Sequence, residues 1–127
     1  MWHIMAIAGG GALGALARYG IQILAQQIWS GRFPLGILLA NTLGSLLVGL
    51  LFALLIDKGL FCTIWRPFFI IGFLGAFTTF STFSFDTVQL LGEGHWLLAI
   101  ANISLNVCLG LLAVSIGMAF ARIMIMN

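Results

Sequence analysis

Charge is what this sequence has least of: 6% of its 127 residues are Asp, Glu, Lys or Arg, against about a quarter in an ordinary soluble domain. A water-soluble globular fold is excluded on that ground. Five Lys and Arg against three Asp and Glu leave a formal charge of +2. That is too few basic groups to neutralise a run of phosphates, so a nucleic acid is excluded as a partner. Cysteine is nearly absent as well. Cys62 falls in a connection and Cys108 inside an apolar run; with no repeated spacing to suggest a metal site or a disulfide frame, both are read as packing residues. His3 and His95 stand at membrane edges, too far apart and too few to suggest a catalytic group. No Ser, Thr or Cys has a convincing base nearby, and no HExxH, CxxC or paired-carboxylate pattern occurs, so an enzyme is not expected. The start, MWHIMAIAGGG, lacks the basic segment and small-residue cleavage site of a signal peptide and opens a stretch long enough to span, so it is expected to be retained.

What fills the chain instead is apolar: 62% of residues are hydrophobic, 11 of them Phe. A spanning helix needs about 20 mostly apolar residues, which leaves room for roughly four spans and no soluble domain. We expect an all-α membrane protein, a single integral domain over 1–127, with spans at about 4–24, 35–56, 67–91 and 96–125. The connections are then 25–34, 57–66 and 92–95, and both termini lie on one side. That side carries Lys58, Arg66 and Arg122, the other Arg32 and, if it snorkels, Arg18. So small a difference in Lys and Arg permits both orientations.

Glycine is abundant, 16 residues, and much of it lies inside the spans. Ala6, Gly10 and Gly14 recur every fourth residue, as do Gly36, Ala40 and Gly44, giving smooth faces where helix backbones approach closely. Gly9, Gly10, Gly11 and Gly14 follow no strand and precede no GK[ST], so they are not a phosphate loop. Arg18 continues the first stripe. A guanidinium there costs several kcal/mol unless paired or hydrated; it either snorkels to the interface as an anchor or lines an electropositive vestibule. Asn41, Ser45 and Gly49 share one side of the second span, and Asn102, Asn106 and Gly110 one side of the fourth. Such amides serve either as interhelical glue or as a ladder of neutral donors that holds an anion weakly enough to release it.

The third span is the most informative. Six of the ten residues from Thr78 to Thr87 carry hydroxyls, which compete with the helical backbone for hydrogen bonds. With Gly72 and Gly75 just before them, we expect a helix broken at mid-membrane, whose freed carbonyls hold a cation or line a wet cavity. Phe77, Phe80 and Phe83 share a face: either core or lipid contact, or rings whose electropositive edges meet a small anion. Asp86, the one carboxylate within a span and close to its end, either caps the second half of the broken helix, which is the favoured reading, or reaches the interface.

The run Gly72 to Ser84 (GFLGAFTTFSTFS), with Gly10 to Tyr19 (GGALGALARY) and Pro34 to Asn41 (PLGILLAN), resembles the small bacterial fluoride channels, the fluoride exporter or camphor-resistance family. The likeness covers essentially the whole chain. It implies an antiparallel, dual-topology homodimer in the bacterial cell (inner) membrane, with two fluoride pathways around a central structural Na+ that is not transported. By position in the motif, backbone carbonyls of Gly75 and Thr78 would hold that ion. Phe80, Phe83 and Asn41 would line the fluoride path, with Thr79, Ser81 and Thr82 supplying hydroxyls and Arg18 the vestibule arginine. The varied polar track of the fourth span falls on Asn102 and Asn106, and Ala76 stands where relatives often have glycine. The implied activity is passive exit of cytoplasmic fluoride, relieving its toxicity. The rival class is a small proton-coupled multidrug antiporter, which needs a titratable carboxylate at membrane depth, where only Asp86 is available. A non-conducting assembly subunit would leave the hydroxyl and phenylalanine segment unexplained.

Overall fold

A computed structural model describes residues 1–57 and 65–126, the side chains of 55–57 excepted. Lys58 and Cys62 and most of the 57–66 connection lie outside the described residues. The described chain is all helical. Helix α1 is Trp2–Ile28, α2 Leu35–Asp57 and α5 Trp96–Met126. Between α2 and α5 the chain forms a π-helical segment, Pro67–Leu74, a single α-turn α3, Gly75–Phe77, and helix α4, Phe80–Gly92. Four stretches, Trp2–Ile28, Leu35–Leu54, Pro67–Gly92 and Trp96–Met126, are long and apolar enough to cross a bilayer.

Two close pairings organise the bundle. Helix α1 packs against the π-helical segment, and α2 against α5. The glycine stripes explain both. A Cβ on Gly10 would meet the Phe68 carbonyl oxygen, and one on Gly14 the Phe73 carbonyl, backbone atoms that cannot step aside. Gly49 faces the backbone of Val114 in the same way, and Gly117 that of Leu46. Without hydrophobic drive between helices in lipid, such backbone approach is what gains dispersion energy. A small core of Ala40, Leu74 and Phe77 sits where the two pairs meet, flanked by Ala17, Ile21, Leu47 and Phe73.

The short turn between α4 and α5 is closed by Gly94, whose φ of 82° no L side chain adopts cheaply. Gly94 N–H donates to the Leu91 carbonyl and His95 N–H to that of Leu90. Arg32 Nη1, from the α1–α2 connection, meets His95 Nε2 from this turn, so the two connections join at one end of the bundle. Cys108, expected to pack, is exposed on the protomer: α5 turns several apolar residues outward, among them Val107, Leu111 and Leu112.

Candidate functional site

The backbone of the third span leaves helical geometry at Thr78 (φ −85°, ψ 154°) and Thr79 (φ −151°, ψ 123°) and resumes it at Phe80. The hydroxyl cluster accounts for only part of this. Ser84 and Thr87 donate to the carbonyls of Phe80 and Phe83, four residues back, and remain helical. What acts at Thr79 is a side chain from another helix: Asn41 Oδ1 accepts the Thr79 N–H at 2.9 Å, and Asn41 Nδ2 donates to the Thr79 carbonyl at 3.2 Å. The amide thus replaces helical partners on both sides of one residue. Thr79 in turn caps α4, its Oγ1 accepting the Thr82 N–H at 3.3 Å. Asp86, expected in that role, lies well past the first turn, where no free N–H remains. It lines two smaller cavities, of about 260 and 100 Å³, together with Arg32.

These diversions bear on two carbonyls. In a continuous helix Thr79 N–H would pair with the Gly75 carbonyl and Thr82 N–H with that of Thr78; here both donors go elsewhere. The carbonyls of Gly75 and Thr78 therefore lose their helical donors, and Gly75 is exposed. Hard oxygen donors without helical partners fit an alkali cation. Between them, the Ala76 carbonyl accepts from Arg18 Nε at 3.0 Å. Half-buried Arg18 thus reaches the interruption itself.

A cavity of about 350 Å³ opens beside the interruption, bounded by α2, α4 and α5. Asn41, Ser45, Thr78, Thr79, Phe80, Phe83 and Asn106 line it, with valines closing the rest. No charged side chain is among its lining residues. The Phe80 and Phe83 rings lie 5.6 Å apart at a tilt of 49°, and Phe80 is 79% exposed on the protomer. The structure thus gathers Asn41, Thr79, Phe80, Phe83 and Asn106 at one place. Thr82 instead lines the cavity that holds Asp86, and exposed Ser81 lies within 3.2 Å of the Thr79 hydroxyl.

Asn102 is separate again. It is wholly buried, its Nδ2 donating to Thr87 Oγ1 at 2.9 Å and its Oδ1 accepting from Asn106 Nδ2 at 2.9 Å. Asn106 Oδ1 accepts from Asn41 Nδ2 at 2.9 Å. One directed chain of donors therefore runs from Thr79 N–H through Asn41, Asn106, Asn102 and Thr87 to the Phe83 carbonyl. It begins at the cap of the helix that carries both phenyl rings and ends within that helix. Sequence spacing places the asparagines on shared faces but leaves out Thr87, whose one signal was its place in the hydroxyl cluster.

The family described as CrcB-like protein, Camphor Resistance (CrcB), matches residues 5–118. The chain belongs to the CrcB family. It is 42% identical over 120 residues to a protein named fluoride-specific ion channel FluC from Saccharophagus degradans, covering 93% of this chain and 88% of the relative. To fluoride-specific ion channel FluC 2 of Symbiobacterium thermophilum it is 44% identical over 115 residues, 91% of this chain and 94% of the relative. A FluC of Hydrogenovibrio crunogenus is 45% identical over 115 residues, 91% and 87% of the two chains. With four helices able to span and these bacterial relatives, this CrcB protein is a multi-pass bacterial membrane protein.

Proposed function

We propose that this CrcB protein is a fluoride-selective channel of the bacterial inner membrane, letting cytoplasmic fluoride leave passively. The observation that carries the reading is the cavity at the interrupted third span, where two phenyl rings and neutral amide and hydroxyl groups meet with no fixed charge. Fluoride holds its water strongly, so a pore must replace that shell. A fixed positive charge in a dry constriction would replace it too well and trap the ion. Ring edges and neutral donors give several weak contacts instead. In this reading Asn41, Phe80, Phe83, Thr79 and Asn106 flank the path, with Ser81 and Thr82 beyond the interruption, Asn102 orienting Asn106, and Arg18 at the vestibule side. A proton-coupled antiporter would place a carboxylate at the substrate; Asp86 lines other cavities than this one.

The active form in this proposal is an antiparallel homodimer of dual topology, with the third span as its broken helix. The exposed Phe80 and Gly75 support a second copy at that face. The carbonyls of Gly75 and Thr78, from both copies, would hold a structural Na+. When bound, the ion would be coordinated by, and so satisfy, carbonyl oxygens that the interruption leaves without helical donors. The direct test is efflux from liposomes containing the purified protein. Fluoride should leave and chloride should not, with no proton-driven cation uptake, and replacing Na+ by a bulky organic cation should abolish fluoride efflux. Equal fluoride and chloride rates, or uptake driven by a pH gradient, would refute the assignment. Cysteine labelling of the Arg32 connection from each side tests dual topology, which fails if every molecule is protected from the same side.

A further inference from the structure

The hydrogen-bond inventory of the large cavity leaves one lining side chain with an uncommitted donor. The amide nitrogen of Asn41 has two hydrogens and two acceptors, Asn106 Oδ1 at 2.9 Å and the Thr79 carbonyl at 3.2 Å. Asn106 Nδ2 likewise has Asn102 Oδ1 at 2.9 Å and the Asn102 carbonyl at 3.0 Å. The Thr78 hydroxyl donates to the Leu74 carbonyl at 2.9 Å. The Thr79 hydroxyl donates to Thr82 Oγ1 at 3.1 Å while capping α4. Ser45 has no such partner among the described residues. Several span hydroxyls, those of Thr78, Ser84, Thr87 and Ser115, turn back to the carbonyl four residues earlier; Ser45 makes no such bond, and neither does the buried Thr42 hydroxyl, which is not among the residues lining this cavity. Across from it on α5 stands Gly110, whose absent side chain leaves the hydroxyl uncovered: a Cβ there would sit 3.6 Å from Ser45 Oγ.

We infer that the Ser45 hydroxyl is the hydrogen-bond donor that meets the anion in this cavity, one helical turn along α2 from Asn41. The inference rests on the channel reading above and deepens it by assigning the donor. The amides hold the walls in register, and their hydrogens are already spent. A dehydrating fluoride needs a donor that costs no internal bond to recruit, and a rotatable O–H supplies one. Being neutral, it releases the ion again. The phenyl rings of Phe80 and Phe83 line the same space and supply the remaining, weaker contacts.

The test uses the full chain in liposomes, as wild type, Ser45→Ala, Ser45→Cys and Ser45→Thr. Each variant is first checked for the wild-type elution volume in detergent. Fluoride efflux is then measured at low and high internal fluoride, with chloride as control. Losing one hydrogen bond to a charged species corresponds to about a tenfold or larger fall in efflux at low fluoride for Ser45→Ala. Ser45→Thr, which keeps the hydroxyl, should stay within about threefold of wild type by the same reckoning. Should Ser45→Ala fail to reconstitute, Ser45→Cys carries the test, since a thiol is a weak donor of similar size and should show the loss. Wild-type efflux in Ser45→Ala or Ser45→Cys overturns the inference, as does an equal fall in Ser45→Ala and Ser45→Thr. Absence of fluoride efflux from the wild-type protein instead overturns the channel reading on which it stands.

Discussion

Asn102→Ala tests the buried amide chain most directly. The substitution removes two bonds, Asn102 Nδ2 to Thr87 Oγ1 and Asn106 Nδ2 to Asn102 Oδ1, both 2.9 Å. Neither neighbour is left wholly unpaired. The Thr87 hydroxyl still donates to the Phe83 carbonyl at 2.7 Å, and Asn106 Nδ2 still has the Asn102 backbone carbonyl at 3.0 Å. Only the first of the two lost bonds joins different helices, and interhelical bonds in membranes average about 0.6 kcal/mol. The second strands one amide hydrogen of Asn106, and the removed side chain leaves a small void at a site with 0% exposure. The sum is a destabilisation of about 1–2 kcal/mol, so the protein should still fold. Its unfolding midpoint in mixed micelles should fall accordingly. Efflux should fall as well, although Asn102 does not line the cavity. With one anchor gone, the Asn106 amide is free to flip and present Nδ2 to Asn41 Nδ2, breaking the chain that holds Thr79. An unchanged midpoint with unchanged efflux would refute the chain as a structural device. Lost efflux at an unchanged midpoint would refute the orienting role and make Asn102 a direct contact of the ion.

Phe80→Ile should abolish or sharply reduce fluoride efflux while changing the stability of the protomer itself by no more than about 1 kcal/mol, because the ring is 79% exposed there. Wild-type flux in the folded variant would show that the ring only packs. Gly14→Ala drives a methyl into the backbone of Phe73 and should cost about 3 kcal/mol or more. Gly75→Ala, whose nearest neighbour is the Ile70 carbonyl at 3.7 Å, should leave the protomer's thermal stability close to wild type. Thr79→Ala removes the α4 cap and should cost about 1 kcal/mol, read as a lower unfolding midpoint, with efflux reduced because Phe80 opens that helix.

The number of spans was legible from composition and run length alone, because burying about 20 apolar residues per crossing is a demand on the chain that no neighbour alters. The glycine faces were legible too: a repeat of four on a helix makes a smooth stripe before any partner is known. Gly10 and Gly14 do meet the backbones of Phe68 and Phe73. The interruption near Thr78 could be expected from local hydroxyl density, but its exact place could not. It falls where Asn41, on another helix, takes the Thr79 N–H, while Ser84 and Thr87 of the same cluster stay helical. Nor could spacing separate Asn106, which lines the cavity, from Asn102, which is buried against Thr87. The two share a face of α5, and which of them meets open space depends on where α4 crosses it. Periodicity tells which side chains point the same way; what they point at is decided by the register between helices, which for α2 against α5 is set by backbone contacts at Gly49 and Gly117.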